Sequence, residues 1–65
     1  MVKDYEIRDN YVVVILHDAT RVIIQPTQLS GGILAYQKLL FLLNRMYTND
    51  MAAELVNNLV AKLVN

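Results

Sequence analysis

The sequence predicts an α+β fold: a three-stranded antiparallel β-meander followed by an antiparallel helical hairpin (βββαα). Three observations predict it. Residues 5–25 hold short β-branched runs separated by turn residues. Residues 33–64 switch to apolar spacings of three and four, the period of a helix. Pro26 and the pair Gly31-Gly32 fall between the two regimes, where breakers belong. The expected division of a single domain, 1–65, is 1–26 for the meander, 27–32 for a connecting loop and 33–65 for the helical hairpin.

The first strand is read from Tyr5 and Ile7 alternating with Asp4, Glu6 and Arg8. Asp9-Asn10 is a turn signal, because both residues tolerate positive φ better than most. Tyr11 to Leu16 is β-branched and nearly uninterrupted, which suits a central strand. His17 to Thr20 makes a second turn, and Arg21 to Gln25 a third strand closed by Pro26.

Two-residue loops at Asp9-Asn10 and Asp18-Ala19 would set the register. Ile7 would oppose Val12, Tyr5 would oppose Val14, and Val14 would oppose Ile23. One face would then carry Tyr5, Ile7, Val12, Val14, Leu16 and Ile23. The other would carry Val13, Ile15, Val22 and Ile24, with Asp4, Glu6 and Arg8 toward the first strand. A half-solvated antiparallel sheet alternates apolar and polar residues. Both faces of these strands are apolar, so both are expected to be covered.

The first helix is placed at about Ile33 to Tyr47, with Ser30 or Thr27 as its cap. At 100° per residue, Tyr36, Leu39, Leu40, Leu43, Met46 and Tyr47 form its core stripe. Leu34, Lys38, Phe41 and Arg45 line one outward strip, with Leu42 on its flank. The second helix is placed at about Met51 to Val64, capped by Asn49 or Asp50, with Glu54 in its first turn. Its apolar arc includes Leu55, Val56, Leu59, Val60, Leu63 and Val64, wider than one packing surface needs. Thr48 to Asp50 is a short link, which makes the two helices antiparallel neighbours.

Length and apolar content point to self-association. A chain of 65 residues, 55% hydrophobic, gains barely enough from burial to offset the ordering of its backbone and side chains. It has no Cys and only one His, so disulfides, thiolate metal sites and His-rich metal sites are excluded. An oligomer is the remaining source of stability. Its expected core is Val13, Ile15, Val22 and Ile24 from the sheet, with Val60 and Val64 from the second helix.

No residue set suggests an enzyme, a cofactor or a metal. His17 has no Ser or Cys nucleophile at a recognisable spacing, and a general base needs a positioned partner. Gly31-Gly32 lacks the Gly-Lys-Ser/Thr ending of a phosphate-binding loop, so a turn from sheet to helix is expected. Asp4 and Glu6 share a strand face but are too few for a magnesium or calcium site. No apolar stretch follows a basic start, as a secretory leader would require, and no run is long enough to span a membrane. The lack of cysteine fits a cytoplasmic location. Six Lys and Arg balance six Asp and Glu, which argues against nucleic acid as a partner.

The charge is unevenly spread. No Asp or Glu occurs between Arg21 and Asn49, whereas Arg21, Lys38 and Arg45 do. The outward strip of the first helix is therefore mildly basic, with Phe41 and Leu34 embedded in it. Aromatic and Arg side chains together suit a protein interface. The expected function is a small protein-interaction module, an adaptor, inhibitor or assembly factor of the accessory kind that viruses and plasmids encode, acting as a homo-oligomer. Candidate interface residues are Leu34, Lys38, Phe41, Leu42 and Arg45.

The strand-helix-helix order from Arg21 to Asn65, with its Thr48-Asn49-Asp50 turn, resembles the ribbon-helix-helix layout of small dimeric repressors. The resemblance implies an alternative: a dimeric DNA-binding regulator whose strand pairs with its dimer mate and enters the major groove. In that layout Arg21, Ile23 and Gln25 would point outward. The sequence departs from the pattern in its first hairpin, residues 1–20, and in the long joint Pro26 to Gly32. It is also neutral, where DNA readers are usually basic.

Overall fold

The structure is a computed structural model and describes residues 1–64. Asn65, the last residue of the expected hairpin, lies outside the described residues. Three antiparallel strands, β1 (Val2–Ile7), β2 (Val12–Leu16) and β3 (Arg21–Ile24), form one sheet in sequence order. A single 3₁₀ turn at Pro26–Gln28 leads to α1 (Gly32–Arg45) and α2 (Asp50–Val64).

The first hairpin has the expected register, with Ile7 opposite Val12 and Tyr5 opposite Val14. Its turn is closed by the Arg8 N–H donating to the Tyr11 carbonyl at 2.8 Å. Neither Asp9 nor Asn10 uses positive φ.

The second hairpin differs by one residue. Val14 opposes Val22, not Ile23. The loop holds three residues, His17, Asp18 and Ala19. The Ala19 N–H donates to the Leu16 carbonyl at 2.9 Å, and the Leu16 N–H to the Thr20 carbonyl at 2.8 Å. Ala19 has φ +72°, the left-handed residue that closes a three-residue hairpin loop. The Asp18 carboxylate accepts the Thr20 N–H at 3.0 Å, which holds the turn. The Thr20 side chain first, and this N–H second, keep the Asp18 carboxyl below its ordinary range. A one-residue slip turns a strand over. Val22 and Ile24 therefore join Val12 and Val14 on the inner face, and Ile23 lies on the outer face with Val13.

Both helices pack on the inner face. The core contains Val12, Val14, Leu16, Ile24, Leu29, Tyr36, Leu39, Leu43, Met46, Val56 and Val60. The outer face has no helix on it, so the expected double cover is absent within one chain. Part of it is closed by charge instead. Glu6 opposes Val13 and its carboxylate meets Arg8, just past the end of β1, and Arg21 from β3, the latter at 3.6 Å. The Glu6–Arg21 pair crosses β2, and Val13 is 8% exposed although it lies outside the core cluster.

The helix ends depart from expectation for local reasons. Gly31 is the cap of α1 and no side chain serves it, so neither Ser30 nor Thr27 does. A Cβ on Gly31 would sit 2.8 Å from the Ala35 Cβ, and Gly32 has φ +61°, so the pair is needed for the joint itself. At the other end, Met46 and Thr48 donate to the Leu43 and Arg45 carbonyls, three residues back, and the helix tightens into a turn. Tyr47 thus leaves the helical phase that would have carried it into the core, and it is exposed. Leu40 is half-buried against the core. Asn49 caps α2, its side-chain oxygen accepting the Met51 and Ala52 N–H groups at 3.0 and 3.1 Å. Among the described residues no helix is long and apolar enough to cross a membrane.

Candidate protein-interaction surface

The outer side of α1 carries two large exposed apolar side chains. Leu34 is 76% exposed and Phe41 53%. Lys38 and Arg45 are exposed beside them, as spacings of four, three and four on one helix require. The Arg45 guanidinium lies over the Phe41 ring, 3.8 Å from its centroid. Such stacking holds the Arg in one place and keeps its donors available at the edge of the ring. Leu42 is half-buried and turns toward α2.

Leu42 brings this strip to a groove of about 350 Å³ between the helices. Its apolar lining includes Leu39, Leu42, Leu55 and Leu59, and Lys38 and Lys62 reach it from opposite helices. Among the described residues no acidic one lines it. The periodicity of α1 alone could not reveal the groove, because its second wall depends on how α2 is rotated against α1. Lys62 and Leu55 are therefore additions to the expected site.

The residues expected at a subunit core separate into two groups. Ile24 and Val60 have no exposed surface in a single chain, and Val22 is half-buried against the core. Ile24 and Val60 belong to the chain's own interior, Ile24 through the register and Val60 through the packing of α2, whereas Val22 faces the same side from the edge strand. Val13 and Ile15 lie on the outer sheet face, and Val64 is exposed at the end of α2. The open apolar residue of β3 is Ile23, 54% exposed.

A polar cluster ties the helical turn to β1. The Tyr47 ring stacks on Tyr5 with centroids 6.2 Å apart. Its hydroxyl donates to Asp4 Oδ1 at 2.6 Å and lies 3.3 Å from the Lys3 carbonyl. The Tyr5 hydroxyl donates to Asn44 Oδ1 at 2.6 Å. Partial desolvation and then the bond to Asp4 push the Tyr47 hydroxyl up to about 12. The same bond, followed by the Tyr5 N–H, holds the Asp4 carboxyl below its ordinary value. No local pattern in the sequence marks this cluster, whose partners are about forty positions apart.

A second hollow of about 370 Å³ lies beside the first turn, and its lining includes Asp9, Asn10, Gln25, Pro26, Ile33 and Tyr36. Tyr36 is 6% exposed, and its hydroxyl has no hydrogen-bond partner among the described residues. Burial raises its pKa above the ordinary tyrosine value. His17 is exposed in the second turn. Among the described residues no group of three or more His, Cys, Asp or Glu side chains could hold a metal ion.

No protein-family profile matches this chain, and no curated protein or solved structure gives a significant match.

Proposed function

We propose that this chain is a small protein-binding module that self-associates and uses the α1–α2 surface for another protein. The observation that carries the reading is the exposure of Leu34 and Phe41 beside a leucine-lined groove. Contiguous exposed apolar surface of this kind is the usual mark of an interaction site. Arg45 stacked on Phe41 adds an Arg, one of the residue types enriched at binding hot spots. Lys38 and Lys62, with no acid in the groove, favour a partner segment that carries acidic groups beside its apolar anchors.

The test uses baits that differ at one exposed position. Phe41→Asp and Leu34→Asp remove no core contact, so both chains keep the wild-type circular dichroism spectrum. Immobilised wild-type protein then retains a partner that the two variants lose. If wild type and variants capture the same proteins, the strip is not the binding site. If either variant unfolds, the strip belongs to the core.

A further inference from the structure

We propose that the free edge of β3 pairs with the same edge of a second copy, antiparallel and centred on Val22, so that two three-stranded sheets join into one of six strands. The proposal rests on the self-association reading above and assigns its surface.

The hydrogen-bond phase of β3 follows from its turn. The Leu16 N–H donates to the Thr20 carbonyl, so residues 16 and 20 form a hydrogen-bonded pair. Bonded and non-bonded pairs alternate along an antiparallel ladder. Val14–Val22 and Val12–Ile24 are then bonded pairs, and Ile15–Arg21 and Val13–Ile23 are not. The N–H and C=O groups of Arg21 and Ile23 therefore point away from β2. None of the described side-chain or turn hydrogen bonds engages them.

The opposite edge of the sheet is capped at Val2, Lys3 and Tyr5. The Val2 N–H donates to Asn57 Oδ1 at 3.0 Å, a bond reaching from β1 to α2. The Lys3 carbonyl has the Tyr47 hydroxyl, and the Tyr5 N–H donates to Asp4 Oδ1 at 2.8 Å. The ladder is also irregular between Val2 and Asp4. Side-chain caps, irregular pairing and edge charges are the devices that stop strands from pairing with strangers. β3 has a regular ladder and no cap. Its one charged side chain, Arg21, is turned back over the sheet toward Glu6.

Self-complementarity selects a second copy as the occupant. About a two-fold axis at Val22, Arg21 falls opposite Ile23 of the second copy, and Ile23 opposite its Arg21. Both residues present their backbone groups outward, so each such pair can exchange both bonds. Val22 meets its own counterpart at a non-bonded position, where side chains come closest. No like charges fall directly opposite. Exposed Ile23 gains cover, and a chain too short to bury much surface gains core.

The test removes the outward amide alone. Because the Ile23 N–H has no partner among the described residues, Ile23→Pro leaves the β2–β3 bonds in place, and proline is accepted on edge strands. A chemically synthesised chain N-methylated on the Ile23 amide makes the same change without a ring. Val22→Pro, which does break the inner ladder, is the unfolding control. Solution mass by light scattering and far-ultraviolet circular dichroism are read together. The expected result is a wild-type dimer of 7.4 kDa chains and folded monomers for both Ile23 changes, with dissociation constants raised at least tenfold. A dimer that survives N-methylation overturns the edge pairing and leaves self-association standing. A wild-type monomer overturns both. Unfolding of the N-methylated chain shows that the amide is used internally and overturns the assigned phase.

Discussion

Tyr47 donates its hydroxyl to the Asp4 carboxylate at 2.6 Å and so fastens the turn between the helices to the edge of the sheet. The bond acts on both groups in opposite directions. Asp4 is lowered from 3.8, so its contribution to stability is present above pH 3.8 and is lost as pH falls through the lower folded value. Tyr47 is raised from 10.0 to about 12, so its contribution is complete below pH 10 and is lost as pH rises toward 12. Tyr47→Phe keeps the ring against Tyr5 and removes the bond. The melting temperature of that variant should be lower than wild type at neutral pH and should vary less with pH at both extremes. Thermal melts from pH 2 to 12 check this, and an unchanged pH profile contradicts it.

Ala19 occupies a left-handed conformation at φ +72°, which costs a residue with a Cβ about 1 kcal/mol or more. Glycine adopts it freely. Ala19→Gly should raise stability by about 1 kcal/mol, or ~4–8 °C in melting temperature for a domain of this size. Ala19→Val should lower it. Urea unfolding of the three chains gives the order directly.

Tyr36 buries a hydroxyl with no partner among the described residues, and such a group costs roughly 1–3 kcal/mol. Tyr36→Phe keeps the ring in the core and should leave the protein as stable or more stable. A fall in melting temperature would place a bonded partner on the hydroxyl.

Asn49 satisfies two N–H groups in the first turn of α2. Asn49→Ala should cost about 1 kcal/mol, and Asn49→Asp should be nearly neutral. Chemical denaturation with far-ultraviolet detection measures both.

The strands and helices were legible because their periods differ along the chain. β-branched runs mark β2 and β3, and the spacing of Tyr36, Leu39 and Leu43 marks the buried side of α1. That spacing also fixes its opposite side and so puts Leu34, Lys38, Phe41 and Arg45 on the surface. The inner face of β3 was not legible. It depends on whether the second loop holds two residues or three, and the left-handed position fell to an alanine, the residue type that signals it least. The groove and the edge caps were not legible either. Val2 and Asn57 are 55 positions apart, and nothing near either residue announces the other.

Self-association is the claim on which the functional reading turns. Size-exclusion chromatography with light scattering on the wild-type chain, over a hundredfold range of concentration, tests it most directly. The account predicts a mass of twice 7.4 kDa at the upper end, falling only on dilution. A folded species of 7.4 kDa at every concentration would contradict it.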